Sequence, residues 1–119
     1  MSLRGIPEDV LTEWFRPARE SKAIRLDFAK FATGAPSRRT LLACSERLAR
    51  FDHPALVVWA TKDRLMPREH GPRLAALLPQ GDLIEVDDSS TLVPEDQPER
   101  LADILKEFLT RTGSSPSTT

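Results

Sequence analysis

The sequence predicts an α/β fold in which a helical stretch is followed by a parallel βαβα unit. Three observations carry that expectation. Residues 6–50 repeat apolar side chains at helical spacing. Ala55-Leu56-Val57-Val58-Trp59-Ala60 is then continuously apolar and β-prone, the pattern of a strand covered on both faces. A helical segment separates it from a second strand-like run, Leu83-Ile84-Glu85-Val86, as a right-handed crossover between parallel strands requires.

Pro7 suits the first position of a helix, Glu8 and Asp9 favour its first turn, and Val10, Leu11, Trp14 and Phe15 form an apolar stripe; Pro17 is expected to stop it near Arg16. Residues 20–32 keep the helical period through Ile24, Phe28 and Phe31, and Thr33-Gly34-Ala35-Pro36 ends them. A third helix, 37–50, has Ser37 as its N-cap and is expected to bury Leu41, Leu42, Ser45 and Leu48. After the first strand, Pro67 opens a helix over 67–78 with Leu74, Leu77 and Leu78 inward, and Pro79-Gln80-Gly81 closes it. The last helix is expected to start at Asp96, capped by that side chain with Glu99 reaching back, and to bury Leu101, Ile104, Leu105 and Phe108. The Ser/Thr-rich end is expected to be disordered.

Two parallel strands do not make a stable sheet by themselves, since both have unpaired edges. The expected remainder is either the upstream part of a larger α/β protein or a second chain. Of the 119 residues, 17 are basic and 18 acidic, so the net charge of −1 offers no field to hold a nucleic acid. The single cysteine, Cys44, excludes an internal disulfide and reads as a buried, inert thiol. No apolar run approaches the roughly 20 residues of a membrane span, and Arg4, Glu8 and Asp9 interrupt any signal sequence, so a cytoplasmic protein is expected, with no membrane partner.

The chemistry concentrates in Pro54-Ala55-Leu56-Val57-Val58-Trp59-Ala60-Thr61-Lys62-Asp63-Arg64-Leu65-Met66-Pro67, where a buried strand delivers a carboxylate to the loop at its C-terminal end. This segment resembles the late core strand of the α/β-hydrolase fold, "P-x-L-V-V-W-G-x-x-D-x-x-x-P". The resemblance continues through His70-Gly71-Pro72-Arg73-Leu74-Ala75, Leu78-Pro79 and Leu83–Val86 into Pro94-Glu95-Asp96-Gln97-Pro98-Glu99-Arg100-Leu101-Ala102, covering residues 52–110 well and 6–50 loosely. It implies the C-terminal part of an α/β-hydrolase fold: 1–36 as the end of the cap, 37–111 as the C-terminal part of the core, and 112–119 as the tail.

By the same resemblance Asp63 is the acid that orients a catalytic histidine. The histidine belongs in the loop Asp87-Asp88-Ser89-Ser90-Thr91-Leu92-Val93-Pro94, where Ser90 falls at the family's glycine position and Thr91 at its histidine position. A hydroxyl has no ionisation near neutral pH and cannot relay a proton as imidazole does; Thr91 can at most hydrogen-bond, in a turn or to Asp63. His53 precedes the first strand, about 20 Å from the end that carries Asp63. His70 is on the correct side but reads as a surface residue. No serine has the G-x-S-x-G setting of a nucleophile elbow, and Ser45 reads as helix packing or surface. No metal cluster or phosphate loop is legible, and no cofactor is expected.

The resemblance therefore implies a C-terminal fragment of a hydrolase acting on an ester, amide, epoxide or C–C bond of a small-molecule substrate. Leu65, Met66, Leu92 and Val93 are the expected pocket walls, and the chain by itself is expected to be inactive. The alternative is a non-catalytic binding domain of hydrolase ancestry, self-associating to complete its sheet.

Overall fold

A computed structural model describes residues 2–113. Strands β1 (Ala55–Ala60) and β2 (Gly81–Val86) pair in parallel, in register from Ala55 opposite Gly81 to Ala60 opposite Val86. The helices are α1 (Glu8–Glu20), α2 (Lys22–Thr33), α3 (Arg38–Leu48), α4 (His70–Leu77), the short α5 (Val93–Asp96) and α6 (Pro98–Gly113). The expected helical stretch followed by a parallel βαβα unit is the observed order. Two compact units are present, one of residues 5–46 and one of residues 2–4 with 47–113.

In the second unit, strand alternation divides β1 between two helices. Leu56, Val58 and Ala60 turn to the face where Ile84, Val86, Val93, Leu101 and Ile104 form the core. Ile104 is 1% exposed, so it contributes the roughly 1.5–3 kcal/mol of a fully buried aliphatic side chain. Trp59 turns to the other face and lies on α4, where a Cβ at Gly71 would stand 2.9 Å from the indole Cγ. Leu105 is 44% exposed, so α6 buries a narrower stripe than its spacing implies. β2 begins at Gly81, two residues before its apolar run; Gly81 allows this, because a Cβ there would meet the Ala75 carbonyl oxygen at 2.4 Å.

Asp96 departs most from expectation. It does not cap the last helix: α6 starts at Pro98, and Asp96 is the final residue of α5, fully buried, with its carboxylate turned to other partners. Residues 67–69 form a turn, so α4 starts at His70; the His70 amide donates to the Pro67 carbonyl.

In the unit of residues 5–46, α1 continues through Pro17 to Glu20. Proline removes one ladder donor, but Ala18, Arg19 and Glu20 are compatible with helix, and the Ser21 amide donates to the Pro17 carbonyl. Arg25 covers the end of α1 by donating to the carbonyls of Ala18 and Arg19. Ser37 caps α3 as expected, accepting from the Thr40 amide. The helix itself buries nothing: Leu41, Leu42 and Leu48 are exposed, and so is Cys44, correcting the expectation of a buried thiol. An apolar stripe sets which face can be buried; burial also needs a partner surface. The helix α6 reaches Gly113, and the rest of the tail expected to be disordered, 114–119, lies outside the described residues.

Candidate functional site

Both strands end on the same side of the sheet, and their following loops are bonded to one another. The Thr61 amide donates to the Val86 carbonyl, and the Lys62 amide to the Ser89 carbonyl. The Lys62 ammonium pairs with Asp88, a residue at φ 50°, in the left-handed region that aspartate tolerates better than most side chains. Ser89 is completely buried and returns its hydroxyl to the Val86 carbonyl at 2.7 Å. These bonds fix the loop after β2 against the loop after β1.

At that junction Asp63 and Thr91 meet. Asp63 Oδ1 accepts from the Leu65 and Met66 amides at 2.9 Å each and from the Thr91 hydroxyl at 2.8 Å. Burial opposes the charge on Asp63, but the Met66 amide, the Thr91 hydroxyl and the Leu65 amide outweigh it and hold the carboxyl below its usual value. The group is an ionised acceptor near neutral pH. Thr91 can donate to it but cannot exchange a proton with a reacting group.

Two hollows flank the pair. One of about 190 Å³ is lined by Val58, Trp59, Ala60, Asp63, Met66, Thr91 and Val93. The other, about 420 Å³, is lined by Ser2, Leu3, Lys62, Arg64, Leu65, Ser90 and Thr91. Of the expected pocket walls, Met66 and Val93 thus line the first and Leu65 the second. Leu92 lies half-buried at the start of α5. The Trp59 indole Nε1 is buried without a hydrogen-bond partner among the described residues.

The histidines do not join the pair. His70 is exposed at the start of α4. His53 is exposed before β1, edge-on to Phe51 with ring centroids 5.3 Å apart. No grouping of His, Cys, Asp and Glu among the described residues could hold a metal ion, and no helix among them is long and apolar enough to cross a membrane.

The residue that the sequence did not single out for the site is Asp96. Its Oδ2 accepts from the Ser90 amide at 2.9 Å, and its oxygens also accept from the Ser2 hydroxyl and the amides of Leu3 and Arg4. Burial opposes its charge most, but the Ser2 hydroxyl and the amides of Ser90, Leu3 and Arg4 more than offset this and hold the carboxyl well below the ordinary range. The sequence showed an acid pair, Glu95-Asp96, a few residues after the loop, and a capping pattern that assigned Asp96 to the last helix. Nothing in that pair tells which member turns inward.

No protein-family model matches the chain. It is 38% identical over 64 residues to the uncharacterized hydrolase YugF of Bacillus subtilis, covering 54% of this chain and 23% of that protein. It is 30% identical over 103 residues to haloalkane dehalogenase 2 of Mycobacterium tuberculosis and of Mycobacterium bovis, covering 81% of this chain and 35% of theirs. The chain thus spans between about a quarter and a third of the length of these curated relatives. Its fold is similar to that of an alpha/beta hydrolase enzyme from a sediment metagenome of the Mar Chica lagoon, Morocco, with TM-score 0.55 and 20% identity, covering 76% of this chain and 45% of that one.

Proposed function

Because the chain belongs to the α/β-hydrolase family, as a C-terminal portion of that fold, we propose that Asp63 is the orienting acid of a hydrolase site and that Thr91 stands where its histidine would be. The observation that supports this most is the hydrogen bond between them, 2.8 Å long, joining the loops that follow the two strands. In such a site the acid holds the base in one orientation and stabilises its charged form. Asp63, fixed by two backbone amides, is preorganised to do so.

The intact protein would cleave an ester, amide, epoxide or C–C bond or, by likeness to the mycobacterial dehalogenases, a carbon–halogen bond of a small molecule. Leu65, Met66, Leu92 and Val93 would supply apolar walls. The 119 residues alone would not turn over substrate, having neither a nucleophile elbow nor a base at position 91. The remainder of the sheet would come from an upstream part of the protein or from a second copy.

A second reading, a binding domain of hydrolase ancestry, is favoured by one detail: Asp63 Oδ1 already accepts three hydrogen bonds, none from a base. Hydrolysis of short p-nitrophenyl esters and release of halide from short haloalkanes separate the two. The proteins to compare are the longest natural reading frame containing these residues and its Asp63→Asn variant. The hydrolase reading expects turnover that falls on substitution, by less than the few orders of magnitude that losing a member of an intact triad costs, because position 91 already lacks the base. Equal inactivity of both would leave only the binding role.

A further inference from the structure

We infer that Asp96 is the positioning residue of this site: its buried carboxylate ties the loop of residues 87–92 to residues 2–4 and so sets Thr91 against Asp63. The geometry is continuous. Asp96 Oδ2 holds the Ser90 amide at 2.9 Å, and the next residue, Thr91, donates its hydroxyl to Asp63 at 2.8 Å. On its other side the carboxylate takes the Leu3 amide at 2.8 and 3.0 Å, the Arg4 amide at 3.2 Å and the Ser2 hydroxyl. Asp96 and Ser89 are completely inaccessible and Ser90 is 6% exposed, so this part of the loop lies on the carboxylate with no water to replace the bond. The Gln97 side chain adds a second tie by donating to the Asp88 carbonyl.

A short polar loop has little apolar surface to hold it, and an ionised carboxylate is a stronger acceptor than a neutral oxygen. Asp96 meets that need without touching Asp63 or the hollows beside it. Ser2 and Leu3, held by the same carboxylate, form part of the wall of the larger hollow above Thr91. Charged groups beside the loop are the Lys62–Asp88 pair, Arg4, whose charge acts on Asp88, and Asp63 at Thr91. The inference rests on reading Asp63 and position 91 as the site, but it concerns geometry and not turnover.

The test follows the Asp63 carboxyl carbon by NMR through an acid titration of the 119-residue chain. Thr91→Val shows the rise in the Asp63 midpoint caused by losing the hydroxyl. Asp96→Ala is expected to give the same rise, Asp96→Asn a smaller one, and Thr91→Val no further rise when added to Asp96→Ala. The sign is diagnostic, because removing a neighbouring negative charge would by itself lower the midpoint of Asp63. A folded Asp96 variant in which Asp63 titrates as in the unaltered chain, or lower, overturns the inference. Since Asp96→Ala leaves the buried Ser90 amide without its acceptor and Asp96→Asn keeps only one accepting oxygen, amide hydrogen exchange of the unaltered chain gives a reading that needs no substitution. Ser90, Leu3 and Arg4 are expected to exchange together, on the order of 100-fold or more below unstructured rates; Ser90 exchanging at an unprotected rate overturns the inference equally. Neither measurement uses catalysis, so absence of hydrolysis leaves it standing, and its failure leaves the hydrolase reading standing.

Discussion

Thr91 decides what Asp63 can do. The hydroxyl donates to Asp63 Oδ1 and has no proton to cycle near neutral pH. Thr91→His should therefore place an imidazole beside an ionised carboxylate that favours its charged form, so its pKa is expected above the unperturbed value of about 6.5. Histidine ring-proton NMR over pH 5–9 measures this, and Asp63→Asn in the same background should bring the value back down. Asp96 carries a second pH effect. Its carboxyl lies below its unfolded value in the native chain, so its stabilisation is complete above the unfolded pKa of about 3.9 and fades as pH falls further. Urea midpoints between pH 6 and pH 2 should fall on acidification, and Asp96→Asn should flatten that dependence.

Among the elements, β1 and α4 are held by a contact that leaves no room. A Cβ at Gly71 would lie 2.9 Å from Trp59 Cγ and 3.1 Å from Cβ and Cδ2, atoms that cannot swing aside. Gly71→Ala should destabilise the unit of residues 2–4 and 47–113 by about 1–3 kcal/mol, the usual cost of overpacking. Denaturant unfolding followed by tryptophan fluorescence measures it. Here the sequence was informative at some positions and silent at others. The strand Ala55–Ala60 was legible to the residue, because a six-residue apolar run rich in Val and Trp is too short for a buried helix and suits a strand between turn signals. Pro17 misled, because one missing donor does not outweigh the helix-forming residues beyond it. The position of Asp63 in the loop after β1 was legible because the strand before it was, and its hydrogen bond with Thr91 was one of the alternatives open to that residue. The role of Asp96 was not legible, because its partners Ser2, Leu3 and Arg4 are more than ninety positions away along the chain.

For the molecule as a whole, the main fact is apolar surface without cover. The two-stranded sheet leaves one edge of each strand unpaired among the described residues, and the helices expose Trp14, Phe15, Phe28, Phe31, Leu41 and Leu42. Apolar surface of this amount favours association. The isolated chain is expected to sediment as an oligomer and to bind a hydrophobic dye such as anilinonaphthalene sulfonate. A dye-silent monomer at low concentration would contradict the proposal that its sheet needs a partner. Length and near-neutral charge gave no clue to this; the doubly covered strand pattern did.

The central claim is that Asp63 and position 91 are the acid and base positions of a hydrolase site. Its most direct measurement is the rate of p-nitrophenyl ester hydrolysis near pH 8 by the longest natural reading frame carrying Thr91→His, with and without Asp63→Asn. The account predicts a gain of roughly 100-fold or more from the restored base, lost when Asp63 is replaced. A rate unchanged by the histidine, or a gain that survives the loss of Asp63, would contradict it.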